Sequence, residues 1–510
     1  MSTDLTLVWF KRDLRIRDHE PLRQAAARGP CICLYIYEPE VVSADDFDPL
    51  HLAFINDALD ELDRSLRALG GRLVTRIGEA VSVLETLRRD YGFTRMLSHE
   101  ETGNRITYDR DIRVKRWAKT QGVEWTEIPQ YGVIRGLKSR NGWAARWNKM
   151  MRGPIAAAPT RVLTLDEIFS EGRVDGVRMG LGPVTQSWRQ PAGEAAALET
   201  LRSFLTDRGE RYQSEMSAPA TAWNSCSRLS PYFAYGNLSM KTAFQTLEAQ
   251  RTKCRERKRA GKNIGPDWLK SLSSFDKRLH WHCHFMQKLE SQPSLEFRNM
   301  ARVYDGLREN HFDPDRFEAW CTGRTGYPMV DACMRQLVAT GWLNFRMRAM
   351  LVSFASYHLW LHWRETGLFL ARRFLDYEPG IHYNQLQMQS GVTGINSVRI
   401  YSPTKQVLDH DPEGHYIRRW VPELGGVPAE HIAQPSLMTR DEQSRYGCII
   451  GQDYPAPIVD HKAAVSAAKS RIYAVRRRGE SRAQAQMVFQ RHGSRRRPAN
   501  RAPRRTSPSA

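Results

Sequence analysis

The sequence predicts two kinds of folded unit in one chain: an α/β domain on a parallel sheet, then an all-α domain. Two patterns carry this reading. Over the first 135 residues, short apolar runs alternate with stretches of helical periodicity, the signature of a parallel sheet covered on both faces. From residue 201 to about 475 the helical period runs on almost without a break. At 510 residues the chain is long enough for two or three domains with ample core.

Taken in order, the strand candidates are Thr6–Phe10, Cys31–Tyr37, Leu73–Ile77, Arg95–Ser98 and Val123–Ile128. Between the second and third, Leu52, Ile55, Leu59, Leu62, Leu66 and Leu69 recur at steps of three and four. They form one helical stripe, and Gly70 stands where a C-cap belongs. No Gly-x-Gly-x-x-Gly is present, so the usual dinucleotide fingerprint is missing. Residues 136–200 are rich in Gly, Pro, Arg and Ala and weakly periodic, which predicts a connector wrapping the domains. The expected division is 1–135 α/β, 136–200 connector, 201–475 all-helical, and 476–510 a basic, disordered tail.

The formal net charge is +20, and residues 476–510 carry eleven Arg against one Glu. Such an excess favours a polyanionic partner, and an Arg-rich tail adds salt-sensitive affinity for phosphates. Eight scattered Cys form no Cys-x-x-Cys pair and no disulfide framework, which points to a reducing cytoplasm. The N-terminus does not read as a signal peptide. The longest charge-free apolar stretch, Ala349–Trp363, is 15 residues with two His, too short to span a bilayer. A monomer without membrane attachment is expected.

Several residues read two ways on their own. Ser230-Pro231 is a good N-cap and first-turn pair, and with Ser227 and Arg228 beside it reads as a capped helix or as an anion site. Arg348 and Asp376 suit a charge-assisted pair, at a site or in a core. His382, Trp320, Trp360 and Trp363 read as core residues by default. His280 and His284 have a spacing that grips metals, but no further ligand set accompanies them, and no metal site is assigned.

Four blocks outweigh those defaults. They are Val8-Trp9-Phe10-Lys11-Arg12-Asp13-Leu14-Arg15, Gly341–Arg348 (Gly-Trp-Leu-Asn-Phe-Arg-Met-Arg), Trp363-Arg364-Glu365, and Asp409–Leu424 ending in Trp-Val-Pro-Glu-Leu. In these blocks and in their order the chain resembles the photolyase/cryptochrome family. The resemblance implies a Rossmann-like antenna-type domain and an all-α domain enclosing FAD. It implies blue-light-driven electron transfer, most simply by a deoxyribodipyrimidine photolyase splitting pyrimidine dimers in DNA, the alternative being a cryptochrome photoreceptor without repair. A second antenna chromophore of folate or deazaflavin type is a further expectation, with the loop His99–Arg105 in the place that borders it.

By the same resemblance, Cys226, Ser227, Arg228, Leu229 and Ser230 form the FAD phosphate cradle, Cys226 standing where Thr is usual. Tyr212 lies upstream against the cofactor. Arg348, Asp376, Glu378 and His382 line the flavin edge, Glu378 replacing Asp and His382 replacing Asn. Trp320 and Trp363 match the outer and middle members of the family's electron chain. The innermost falls at Leu386, which has no redox chemistry, leaving Trp360, Tyr383 or Tyr401 as substitutes. In the lesion pocket Trp281 matches the stacking wall and His282 follows it, while Arg278 replaces a Glu, Phe345 an Asn and Ala349 a Met.

Overall fold

The computed structural model describes residues 5–165 and 167–493. Five strands, β1 (Thr6–Phe10), β2 (Cys31–Tyr37), β3 (Leu73–Ile77), β4 (Arg95–His99) and β5 (Glu124–Ile128), form one sheet of order β3-β2-β1-β4-β5. Every pairing is parallel, with Val8 of β1 between Cys33 and Leu97. All five β1 residues are buried, as a central parallel strand covered on both faces requires. The helix Pro49–Ala68 buries the predicted Leu stripe; Leu69 closes it, and Gly70 follows at φ +85°.

The chain reverses its spread across the sheet at β1, so the crevice outside the carboxyl ends of β1 and β4 is the topological switch point. The turn Lys11–Arg15 leaves β1 there and is spent on internal bonds. Asp13 Oδ2 accepts from both His19 Nε2, at 2.9 Å, and His99 Nδ1, at 2.8 Å, while Asp13 Oδ1 takes the Lys11 amide at 2.7 Å. These three side chains are the one group among the described residues placed to hold a metal, and the hydrogen bonds account for their convergence. The loop His99–Arg105 is likewise tied down. Glu101 pairs with Arg110, Asn104 donates to Asp46 at 3.1 Å, and the Arg105 amide reaches Glu296 at 2.7 Å.

The same turn fastens the sheet to the helical part. Arg12 Nε donates to Ala234 O at 2.6 Å and its Nη2 to Tyr377 O at 2.9 Å. The Leu14 amide meets Tyr235 O at 3.2 Å, Arg15 Nη1 meets Gly236 O at 2.8 Å, and Asn237 Nδ2 returns to Leu14 O at 3.0 Å. Backbone approaches backbone so closely that a Cβ on Gly236 would lie 2.2 Å from Arg12 O and 2.4 Å from the Asp13 Cα.

Two stretches differ from expectation. The connector holds a helix, Trp143–Met151, whose Trp143 and Trp147 are buried, and the helical part begins already at Glu194. Sparse apolar residues hid that helix, because three large side chains supply its whole buried face. The tail is not disordered from residue 476. A helix runs Gly479–His492, with Val488 and His492 buried and His492 Nε2 bonded to Gln292 Oε1 at 2.6 Å. Its Arg residues face outward and mask the two anchors in the sequence. Residues 494–510 of the expected tail lie outside the described residues. No described helix is long and apolar enough to cross a membrane.

Gly236 combines φ +67° with a backbone neighbour that cannot move aside. Gly236→Ala is therefore expected to destabilise the protein by about 2 kcal/mol or more, read as a drop in the urea midpoint with an unchanged slope.

Candidate functional site

The site starts from a loop that the backbone alone would not hold. Residues 226–229 join helix Pro219–Ser225 to the five-residue helix Ser230–Ala234. Arg208 clamps the loop from behind, donating to the carbonyls of Asn224, Cys226 and Ser227. Ser230 is the first helical residue, with Leu229 at the cap position, so the expected Ser230 N-cap is not formed. Pro231 at the helix start fixes the turn, and the Ser230 hydroxyl is used on Asp376 instead. So short a helix brings little dipole, and the loop's positive charge comes from side chains.

Arg228 supplies that charge. Its backbone is left-handed, φ +59°, and Gln190 holds it by Nε2 to Arg228 O at 2.7 Å. Its guanidinium lies 4.0 Å from the ring centres of both Trp223 and Trp342 and 5.2 Å from Trp188. Burial lowers its pKa to about 9, it remains cationic at neutral pH, and its Nε has no partner. A buried cation in an aromatic box, with Asp376 acting on it but no carboxylate in direct ion-pair contact, suits an anion. Beside it the Cys226 thiol is pushed up to about 12 by burial and stays protonated.

The floor is an ion-pair ladder. Arg348 meets Asp376 through two parallel bonds of 2.9 Å. Burial pushes the Asp376 carboxyl up, but Arg348 and the Ser230 hydroxyl outweigh it and hold it below the usual range. Two residues on, burial pushes Glu378 up to about 7 against the pull of Arg12, whose Nη2 is 3.5 Å from Glu378 Oε2. Glu378 is thus poised between an acceptor and a donor. His382 Nε2 lies 2.8 Å from Gly367 O. A carbonyl only accepts, so Nε2 carries the proton and Nδ1 offers a lone pair. Burial lowers the His382 pKa to about 4, so the ring is neutral at pH 7.

Around this floor, buried polar atoms stand without partners: Arg228 Nε, Asn344 Oδ1, Glu378 Oε1, Asn384 Oδ1 and His282 Nδ1. Native interiors leave few such atoms unsatisfied, and this set of a cation, two amides, a carboxyl and an imidazole suits a ligand with phosphates at one end and a hydrogen-bonding heterocycle at the other. Sequence reasoning did not assign Asn384, Arg12, Gln190 or the Trp box to the site. The Lys11-Arg12-Asp13 block was the one visible signal for Arg12. His282 lies tilted against Tyr131 at 5.9 Å and edge-on to Phe233 at 5.4 Å and feels Arg12 and Asp376, so its ring borders the interior. One helix step separates it from Trp281, enough to turn it to another face.

The outer pocket is on the helix Trp268–Ser291. Trp281 is 49% exposed and Phe345 48%. Arg278 lies over Trp281 at 4.7 Å, reaches Met216 Sδ at 3.7 Å and hydrogen-bonds Tyr212, which packs edge-on against Phe204 at 5.5 Å. Deeper in, Trp320 is fully buried, 5.8 Å from Phe369. Trp363 donates to Asn299 at 2.8 Å and meets Tyr383 edge-on at 6.4 Å. Trp360 adopts φ +59° between the guanidiniums of Arg308, at 4.3 Å, and Arg471, at 4.7 Å. Leu386 packs directly on Gly367, where a Cβ would come within 2.4 Å of its Cδ1.

Fold and cavity define a two-domain flavoprotein whose cofactor is buried in the helical part. Family models for DNA photolyase and for the FAD binding domain of DNA photolyase match residues 6–134 and 275–474. A cryptochrome DASH from Gloeobacter violaceus is 28% identical over 494 residues, covering 90% of this chain and 94% of that protein. A deoxyribodipyrimidine photo-lyase from Streptomyces griseus is 29% identical, covering 89% and 96%. The crystal structure of a class III photolyase from Agrobacterium tumefaciens superposes with a TM-score of 0.82 at 26% identity, covering 94% and 99%. The chain belongs to the photolyase/cryptochrome family, and FAD is its cofactor.

Glu378 offers a test free of any ligand. Its pKa is about 7 in the fold against 4.5 in the open chain, so between those values the folded state binds the proton more tightly. Its stabilising share is complete below pH 4.5 and lost as pH rises through about 7, a swing of about 3 kcal/mol. In the apoprotein, Glu378→Gln is expected to flatten the wild-type fall in urea stability between pH 5 and pH 8.

Proposed function

We propose that this protein is a light-driven pyrimidine-dimer lyase acting on DNA. Bound reduced FAD supplies a one-electron donor on absorbing blue or near-ultraviolet light. The chain's own residues do the rest. Arg228 with Ser227 holds the phosphate end, and Arg348–Asp376 and Glu378 orient the heterocycle. His382 stays neutral beside it, adding no charge next to the donor.

One observation carries the substrate reading. An exposed Trp281, capped by Arg278, is linked through Tyr212 to the wall of the cavity. A base turned out of the stack finds a π-face there and, in Arg278, a donor to its carbonyls. The net charge of +20 favours holding the strand. Three residues favour an altered lesion or strand preference: Arg278, Phe345 and Ala349 all differ from the family's usual readers.

The test is anaerobic illumination of pre-reduced, FAD-loaded protein with oligonucleotides bearing one defined dimer. Light-dependent recovery of intact pyrimidines is expected. No recovery on any dimer, in single or double strands, overturns the lyase reading in favour of a photoreceptor. Trp281→Ala is expected to weaken binding to dimer-containing DNA about tenfold or more, with undamaged DNA little affected. Equal loss on both substrates would remove Trp281 from the pocket.

A further inference from the structure

The family's innermost indole falls at Leu386, an aliphatic side chain that packs against Gly367 and has no redox chemistry. Two redox-active rings then border His382: Tyr377 at 5.1 Å and, one residue on along the same helix, Tyr383, which alone of the two also meets Trp363. Tyr383 lies 5.4 Å from the His382 ring and 6.4 Å from Trp363, centre to centre. It therefore stands between the middle tryptophan and the residue expected to border the flavin.

Its hydroxyl shares a buried carboxylate with that of Tyr377. The Tyr383 and Tyr377 phenolic oxygens are 3.1 Å apart. Both are directed at one carboxylate oxygen, Asp46 Oδ2, Tyr377 at 2.6 Å and Tyr383 at 3.4 Å. Asp46 is buried and comes from the N-terminal part of the chain, and Asn104 donates to the same oxygen at 3.1 Å. A phenol that loses an electron becomes a strong acid, so an oxidisable tyrosine needs a base within hydrogen-bond reach. Asp46 is such a base, provided across the domain seam. Trp360 offers the opposite setting. Its ring lies between two guanidiniums, Arg308 and Arg471, whose charges oppose a positive indole.

We propose that Tyr383 is the immediate electron donor to the photoexcited oxidised flavin, with Asp46 as acceptor of its proton. The inference rests on the flavin lying beside His382, as under Proposed function. In the step, Tyr383 gives up one electron to the flavin, its O–H bond breaks, and the proton passes to Asp46 Oδ2, directly or across the Tyr377 hydroxyl. A thiol reductant in solution returns one electron to the phenoxyl ring, and Asp46 returns the proton. Tyr383 is thereby a catalytic residue of photoreduction, and Asp46 and Tyr377 are its positioning and proton-accepting partners.

The experiment is a blue flash on FAD-loaded, oxidised protein followed by freeze-quench electron paramagnetic resonance. Ring-deuterated tyrosine is incorporated in a parallel sample. A neutral tyrosyl radical is expected, its hyperfine splitting collapsing with the deuterated label. It should vanish in Tyr383→Phe, which loses only a hydroxyl, and persist in Trp360→Phe. Asp46→Asn should slow radical formation about tenfold or more and abolish the slowing seen in heavy water. If Asp46→Asn does not fold, the heavy-water effect in the wild type and the Tyr383→Phe result decide alone. A tryptophanyl radical in the wild type, or an unchanged tyrosyl signal in Tyr383→Phe with FAD bound, overturns this assignment and leaves the flavin placement intact. A protein that takes up no FAD overturns both.

Discussion

The structure turns on one arginine that leaves the sheet and enters the helical part. Arg12 follows β1 at the switch point, bonds the carbonyls of Ala234 and Tyr377, and lies 3.5 Å from Glu378. Its stem fixes how the parallel sheet docks, while its charge sets the state of the cavity floor. Without it Glu378 would be a buried carboxyl with no cation, neutral throughout the physiological range. The other contacts of the seam, from Leu14, Arg15 and Asn237, place Arg12 so that this charge arrives at the right depth.

From there the cavity is an electrostatic gradient. At one end Arg228 is held cationic among three indoles, its Nε without a partner. At the other, Asp376 is saturated by Arg348, and Glu378 titrates near neutrality. A molecule with a phosphate head and a ring that both donates and accepts satisfies both ends, and a simple anion or a simple base satisfies one. The neutral His382 completes the ring end without opposing charge transfer across it. The N-terminal part reaches into the helical part through Arg12, beside Glu378, and through Asp46, bonded to Tyr377, so neither part is a mere scaffold for the other.

Much of this was legible in the sequence. The five strands appear within a residue of their expected bounds; the central β1 and β2 are continuous apolar runs with abrupt ends. The pairing of Arg348 with Asp376 was readable from charge and family blocks together. What escaped depends on distance along the chain. Asp13, His19 and His99 converge across more than eighty residues, and Asp46 reaches Tyr377 across 331 positions, with no local pattern to announce either. Adjacent helical residues diverge by a large angle, so Trp281 stands exposed while His282 beside it packs on Tyr131 and Phe233, a difference the sequence does not announce. The helix Gly479–His492 was hidden by composition, since two buried anchors suffice to hold a segment that otherwise reads as a solvated basic run.

The most direct measurement is a crystal structure of the protein loaded with FAD. The account predicts difference density with the phosphates at the Arg228 side chain, and the isoalloxazine ring between His382 and the Asp376–Glu378 segment. Density with the phosphates elsewhere, or a ring remote from His382, would contradict it.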